Sequence, residues 1–376
     1  MSTLGGFADQ LRAQLDIVTV IETYLDLKKR GRDYEALCPF HQEKTPSFKV
    51  SATKQIYHCF GCGKGGDVIG FVREIEHLDF REALTVLAER NGIALPQFSS
   101  RPISTDEEKR RKAVYELHTL VAELFAENLA RHRPALEYLE KRGVGEELIE
   151  AFGLGFAPDE GGWLLAKARR RGYSEEIVRE AGLAKPSQRG RGSYDTFRGR
   201  IIFPIRDPLG KVVAFGGRAI EKDAKPKYLN STETPIYRKG QYLYAYDLAR
   251  QTIKERGYAI VTEGYMDAIA CHQHGFTNAV ASLGTALTGP MANLLKRLCS
   301  RVVFLYDGDE AGQKAMYAGT QVLLANGLQV EIVALPADDD PDSLLQREGA
   351  DALATRIDRA PDYFEYFLQA IAGQHA

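Results

Sequence analysis

Short apolar runs that stop at carboxylates recur in the second half of the chain. Ala259-Ile260-Val261-Thr262 stops at Glu263, and Val302-Val303-Phe304-Leu305-Tyr306 stops at Asp307-Gly308-Asp309. A third run, Val330-Glu331-Ile332-Val333-Ala334-Leu335, precedes Asp340-Pro341-Asp342. Continuous runs of this kind, rich in Val and Ile, predict strands buried on both faces, as in a parallel sheet. From Tyr258 to Leu335 the predicted order is strand, helix, strand (Asn278 to Ala281), helix, strand, helix, strand. Upstream the period changes. Asp16 to Leu27, Arg110 to Leu129 and Pro134 to Lys141 carry apolar residues at helical spacing. Asp67 caps a helix from Val68 to Glu76, and Asp79-Phe80-Arg81-Glu82 opens another in the manner of a capping box. Phe197 to Asp207 and Val212 to Arg218 pair as a hairpin, with Pro204 placing its strand at an edge or bulge. The Pro- and Ser-containing stretch from Pro96 to Glu108 reads as a linker.

In open parallel sheets the site lies beyond the carboxyl ends of the strands. Glu263, Asp267, Asp307 and Asp309 are expected to converge there, joined by Asp340 and Asp342. Converging carboxylates repel unless cations lie between them, and oxygen-only ligands suit Mg²⁺. Each Asp also reads as the N-cap of the following helix.

The N-terminal part carries a different chemistry. Cys38-Pro39-Phe40-His41 and Cys59-Phe60-Gly61-Cys62 form a Cys-x₂-His and Cys-x₂-Cys pair, a spacing that predicts one closed, structural zinc site. Gly61 and Gly63 are read as supplying the unusual dihedrals of the turn. His58 is an alternative ligand, with Cys59 better spaced. Ser47 to Val50 and Gln55 to His58 predict two strands of a small ribbon. Phe40 and Phe60 are assigned to its core, while Phe48 and Tyr57 stay open between core and base stacking.

The formal net charge is only -2, which argues against a globally basic coat. Charge is segregated instead: Arg189 to Lys239 is basic and Arg301 onward is acidic. Arg218, Lys225, Lys227, Arg238 and Lys239 are interleaved with Tyr228, Tyr237, Tyr242 and Tyr244, a composition suited to gripping phosphates and stacking bases. The five cysteines are odd in number and uneven in spacing, so a secreted disulfide framework is not expected. No apolar run approaches transmembrane length and no signal peptide is visible, so the expected location is cytoplasmic.

Glu263, Asp307-Gly308-Asp309 and Asp340-Pro341-Asp342 at successive strand ends resemble the toprim module of primases, topoisomerases and small nucleases. Leu37-Cys38-Pro39-Phe40-His41 through Phe48, and Tyr57-His58-Cys59-Phe60-Gly61-Cys62 through Asp67, resemble the zinc ribbon of bacterial DnaG-type primases. Arg198 to Ile205, Phe215-Gly216-Gly217-Arg218 and Pro226-Lys227-Tyr228-Leu229-Asn230-Ser231 resemble the basic part of the same family's catalytic core.

The resemblance, which covers about Gln10 to Leu368, implies an α+β multidomain chain: a zinc ribbon (1–95), a linker (96–109), a mixed α+β basic subdomain (110–256), a toprim α/β parallel-sheet module (257–345) and short C-terminal helices (346–376). It implies synthesis of short RNA primers on single-stranded DNA from ribonucleoside triphosphates. Two catalytic Mg²⁺ ions, replaceable by Mn²⁺, are expected at Glu263, Asp267, Asp307, Asp309, Asp340 and Asp342, with Glu263 as ligand or general base. Arg142, Arg218, Lys227, Tyr228 and Lys239 are expected to contact template or nucleotide. Two departures stand out. Ala337-Asp338-Asp339 replaces the family's usual glycine before Asp340, which leaves open which Asp binds metal. The chain also stops at Ala376, where family members continue into a helicase-docking domain, so absent or weakened helicase partnership is expected; a monomer is expected separately. The rival readings are a toprim-type nuclease, which would use the same carboxylates, and a non-catalytic single-stranded nucleic-acid-binding protein, against which the intact Glu263, Asp307 and Asp309 set argues.

Overall fold

Alternation along two short strands sets up the first of two units, residues 1–104 and 105–376. Phe48, Val50, Tyr57 and Cys59 turn inward, while Lys49 and His58 point out. The computed structural model describes residues 4–76, 78–95, 105–187, 190, 192–221, 223–284, 286–336 and 339–374. In the first unit β1 (Lys28–Arg30), β2 (Asp33–Ala36), β3 (Phe48–Ser51), β4 (Ile56–Cys59) and β5 (Gly65–Gly66) pair antiparallel in sequence order. Helices α1 (Leu4–Gln14), α2 (Ile17–Glu22), α3 (Val68–Glu76) and α4 (Phe80–Arg90) complete the unit. Its core is an aromatic stack. Phe48 lies 5.2 Å from Tyr57, and Phe71 of α3 meets Tyr57 edge-on at 5.4 Å. Phe48 and Tyr57 are therefore core residues. Phe60 is not: it is 70% exposed, on the opposite face, contrary to its assignment from sequence. The helix expected to reach Leu27 stops at Glu22, and Tyr24 instead packs edge-on against Phe71 and gives its hydroxyl proton to Glu76.

The second unit opens with α5 (Thr105–Arg131). Its first turn is acidic, with Asp106, Glu107 and Glu108 complementing the helix dipole, so the helix starts inside the stretch expected to be linker. The rest of that linker, residues 96–104, lies outside the described residues. Next come α6 (Arg133–Lys141), α7 (Glu146–Phe152), β6 (Gly155–Ala157), α8 (Trp163–Arg170), α9 (Glu175–Glu180) and the small hairpin of β7 (Ala184–Pro186) and β8 (Ser193–Asp195). Residues 188, 189 and 191, between these two strands, also lie outside the described residues. Then β9 (Arg200–Arg206), β10 (Val212–Ala219) and β11 (Tyr228–Asn230) join β6 in an antiparallel sheet of order β11-β10-β9-β6. The predicted hairpin is β9 with β10. Beyond Ile202 no β6 residue pairs with β9, so Pro204 lacks a strand on that side and its missing N–H breaks no ladder bond. α5 lies across this sheet, stacking His118 on Phe215 with ring centroids 5.5 Å apart.

α10 (Tyr246–Arg256) leads into β12 (Tyr258–Thr262), α11 (Tyr265–Gln273), β13 (Ala279–Ala281), α12 (Gly289–Lys296), β14 (Arg301–Phe304), α13 (Glu310–Ala325) and β15 (Gln329–Ile332). The four strands form a parallel sheet of order β13-β12-β14-β15. Alternate residues of the buried strands feed two cores. Ile260, Val303 and Leu305 pack with Cys271 of α11, whereas Val261, Val302 and Phe304 pack with α10, α12 and α13. α14 (Pro341–Asp358) joins the first of these cores, and α15 (Tyr363–Gln374) is the last helix among the described residues. The boundary expected at 345/346 falls inside α14, whose first turns are already packed through Leu344 and Leu345. No helix among the described residues is long and apolar enough to cross a membrane.

Candidate active site and zinc centre

Parallel pairing of β12 with β14 puts Val261 opposite Phe304, so the residues that follow leave the sheet at the same edge. Glu263 and Asp307 meet there: the Asp307 backbone N–H donates to Glu263 Oε1 at 3.2 Å. Gly308 lets this loop close on the one after β15. A Cβ at 308 would lie 1.9 Å from the Pro336 carbonyl oxygen, and the Gly308 N–H donates to Asp339 O at 3.0 Å. The glycine between two acids therefore serves close approach of two loops.

Three of the expected site acids also hold the starts of helices. Asp309 Oδ1 accepts from the Gly312 N–H at 2.7 Å, Asp340 Oδ1 from Ser343 N–H at 2.7 Å, and Asp267 Oδ2 from Gly264 N–H at 3.1 Å. The N-cap reading holds for Asp309 and Asp340, each with one oxygen engaged, but not for Asp267, which is the third residue of a helix capped by Gly264. Asp342 is buried and takes an ion pair from Arg142, 200 positions away. Asp339, the last residue of the family departure, is held at about 2 by the Arg347 and Ser343 donors and so is committed to that pair. Residues 337 and 338 lie outside the described residues.

These carboxylates share a cleft of about 260 Å³ with the basic cluster. Arg142, Arg218, Lys227, Tyr228, Glu263, Asp267, Asp307, Asp340 and Asp342 all line it. Asp309 is exposed beside it and near enough to disfavour ionisation of Glu263 and Asp307. Lys239 begins a 3₁₀ turn, Lys239–Gln241, and is not among the lining residues. Burial, followed by mutual repulsion, raises all three central acids. Glu263 rises to about 7, Asp307 to about 6 against the pull of Lys227, and Asp267 to about 8. Asp307 Oδ1 is buried without a hydrogen-bond partner among the described residues. An orphaned carboxylate oxygen among repelling acids is what a divalent cation satisfies, so the residues present fit Mg²⁺.

Tyr138, Arg200, Asn230 and Tyr265 brace this cleft and were not among the residues expected at the site. Tyr138 of α6 lies between two guanidinium groups, 5.3 Å from Arg218 and 5.9 Å from Arg142. Arg218 also donates to the Tyr228 hydroxyl. Buried Arg200 donates to the carbonyls of Pro226 (2.8 Å) and Lys227 (3.2 Å), pinning the segment that carries Lys227. Tyr265 donates its hydroxyl proton to Asn230 at 2.7 Å, and Asn230 donates on to Leu283 O at 3.1 Å. The motif Pro226 to Ser231 carries the Asn signal, but nothing in periodicity marks Tyr138.

In the first unit Cys38, His41, Cys59 and Cys62 bring one ligand atom each within 4.8 Å of one another. Cys38 Sγ and Cys62 Sγ are 3.9 Å apart, and Cys59 Sγ lies 3.8 Å from His41 Nδ1. A tetrahedral zinc shell has edges of about 3.8 Å between sulfurs and about 3.6 Å between sulfur and nitrogen. Three thiols and one imidazole at these separations make a closed, structural zinc site. His58 is outside it, on the exposed face, edge-on to Phe60 at 4.7 Å. Gly63 has a left-handed backbone, with φ of +75°, but Gly61 does not; it is needed for close approach to His41.

Comparison with known proteins agrees with this anatomy. The CHC2 zinc finger family matches residues 4–101, the DNA primase catalytic core N-terminal domain matches 124–250, and a Toprim-like family matches 260–345. The chain is 42% identical to a DNA primase of Clostridium acetobutylicum over 352 residues, covering 93% of this chain and 58% of that protein. It is 45% identical to a DNA primase of Deinococcus radiodurans over 359 residues, covering 93% of this chain and 60% of that protein. The chain thus spans less than two thirds of the length of these relatives. Among solved structures, the zinc-binding and RNA polymerase domains of Aquifex aeolicus primase are similar with a TM-score of 0.65 and 40% identity, over 98% of this chain and 88% of that one. A DnaG primase catalytic domain bound to single-stranded DNA has a TM-score of 0.66 and 37% identity, over 71% of this chain and 87% of that one.

Proposed function

The chain belongs to the bacterial DnaG-type DNA primase family, and from that premise we propose that it joins ribonucleotides into short RNA primers on single-stranded DNA. The observation that carries this reading is one cleft lined by converging carboxylates together with Arg142, Arg218, Lys227 and Tyr228. A nuclease needs the acids; a polymerase also needs a place for an incoming triphosphate, and the clustered cations provide it. Glu263, Asp307 and Asp309, with Asp267, Asp340 and Asp342, would hold two Mg²⁺ ions, which supply activation of the attacking hydroxyl and neutralise the leaving pyrophosphate.

The chain's own groups divide the remaining work. Lys227, held by the Arg200 contacts to its carbonyl, meets phosphate charge from the exposed rim. Arg218 is oriented by the rings of Tyr138 and Tyr228, so its planar fork meets phosphate oxygens in a fixed direction. Arg142 neutralises Asp342, and Glu263, Asp267, Asp307 and Asp340 share the cleft without an ion pair among the described residues. Glu263 acts as ligand or as base; both roles depend on its contact with the Asp307 N–H. Lys239 contributes to template contact from outside the cleft lining. The exposed face of the zinc ribbon, with Phe60 beside His58 and under Lys49, suits stacking and phosphate contact with template.

The test is incubation of the purified chain with single-stranded DNA, Mg²⁺ and labelled ribonucleotides. Short template-dependent RNA supports the proposal. Cut DNA without RNA would mean a nuclease, and retention without turnover would mean a binding protein.

A further inference from the structure

Next to the zinc cluster sits one carboxylate that is not a ligand. The Glu43 side chain is only 11% exposed. Its Oε1 accepts from the backbone N–H of Cys38 at 2.7 Å and of Ser47 at 3.0 Å. Its Oε2 faces His41 Nε2 at 3.2 Å. Ser47 Oγ lies 2.5 Å from Glu43 Oε2 and 3.2 Å from Cys59 Sγ, with one proton to share between them. The other imidazole nitrogen, Nδ1, is the one turned to Cys59 Sγ. Gly61 closes the remaining side, since a Cβ there would lie 2.6 Å from His41 Nε2 and 2.9 Å from Ser47 Oγ.

A metal-bound imidazole presents one bare nitrogen to the ion, and its other N–H needs an acceptor. A carboxylate in that place selects the tautomer, fixes the ring plane and raises ligand basicity. We propose that Glu43 is the positioning residue of the zinc centre. It accepts the Nε2–H of His41 and so makes Nδ1 the zinc-binding nitrogen. Through the Cys38 N–H and through Ser47 it also ties His41, Cys38 and Cys59 into one hydrogen-bonded frame. The spacing of the ligands alone does not reveal this, because Glu43 lies between the two pairs. The inference concerns the zinc centre alone and is independent of the polymerase reading.

Two measurements on the full chain test it. The first needs no substitution: long-range proton–nitrogen correlation spectra of the zinc-loaded, ¹⁵N-histidine-labelled protein. His41 is expected to show a protonated Nε2 and a metal-bound Nδ1; the reverse pattern overturns the proposal. The second is competition for zinc against a chromophoric chelator. Glu43→Ala is expected to weaken zinc binding about 10- to 100-fold. Glu43→Gln, which keeps one oxygen acceptor, should retain the tautomer and fall between the two. Glu74→Ala, at the salt bridge with Lys64 in the same unit, should change nothing. Zinc affinity of Glu43→Ala and Glu43→Gln equal to that of the unaltered chain contradicts the assignment. Should Glu43→Ala fail to fold, the tautomer measurement and Glu43→Gln still decide.

Discussion

The Asp307 backbone N–H donates to the Glu263 carboxylate across 3.2 Å, joining the ends of two neighbouring parallel strands whose acids are 44 positions apart. The contact does two things. It fixes the position of Glu263, and because it uses the main chain of Asp307 it leaves the carboxylate Oδ1 buried without a partner among the described residues.

Glu263→Gln separates these roles. The amide oxygen can still accept from Asp307 N–H, so the fold should persist and the metal-free chain should melt no lower. Primer synthesis should fall by about two to three orders of magnitude, the scale of losing one fixed electrostatic contact to a transition state. Steady-state synthesis and thermal melting of the same preparation check the split.

Removing metal should expose the repulsion among the acids. Glu263, Asp307 and Asp267 rise to about 7, 6 and 8 in the folded chain without metal, above the ordinary carboxylate range. The folded state then binds more protons than the unfolded one, so stability falls as pH rises through this window. In chelator, the melting temperature of the second unit should drop between about pH 5 and pH 8. Mg²⁺ should restore it, with a larger effect at the higher pH. A pH-independent Mg²⁺ effect would count against cation binding among these acids.

An acid-side effect of opposite sign comes from His118. It is fully buried against Phe215, its Nδ1–H reaches only the Val114 carbonyl, and burial lowers it to about 4. The unfolded chain therefore binds a proton near pH 6 that the folded chain refuses, and stability falls as pH drops from about 6.5 to about 4. The total is on the order of 3 kcal/mol. Trp163, the chain's single tryptophan, lies in this unit and reports its unfolding. Urea titrations at pH 7 and pH 4.5 should differ less in His118→Leu than in the unaltered chain.

Gly308→Ala tests the loop closure. The added Cβ would meet the Pro336 carbonyl, so the two loops must part, at a cost of about 1–3 kcal/mol by analogy with overpacking. Activity should drop with stability. Gly161→Ala, whose Cβ would meet nothing within 4 Å, is the control and should leave both unchanged.

In the ribbon, Phe60 and Phe48 should behave oppositely. Phe60 is 70% exposed, so Phe60→Ala should spare folding and weaken single-stranded DNA binding by about 1–3 kcal/mol. Phe48 is fully buried, so Phe48→Ala should lower stability by about 3–5 kcal/mol. Melting of the zinc-loaded chain and fluorescence anisotropy with labelled oligonucleotide measure the two effects.

Much of this anatomy could be read from local pattern. Strands buried on both faces are written as unbroken apolar runs, and a parallel sheet delivers their following acids to one edge; Glu263 and Asp307 were legible for that reason. The zinc cluster was legible because each ligand pair lies within one turn. Phe60 was misassigned because the two-residue gap between Cys59 and Cys62 says nothing about which sheet face the intervening ring takes. The start of α5 at Thr105 was hidden by the polar composition of the stretch, although its acidic first turn is a helix signal. Tyr138 and the Arg142–Asp342 pair were illegible in principle, since they join α6 to the cleft and to α14 across long stretches of chain.

The most direct test of the central claim is anomalous diffraction from crystals of the chain soaked with Mn²⁺ and a non-hydrolysable ribonucleoside triphosphate. The account predicts metal peaks bounded by Glu263, Asp307 and Asp309, with the triphosphate running from them toward Lys227 and Arg218. Manganese peaks absent from these carboxylates, or a triphosphate bound away from them, would contradict it.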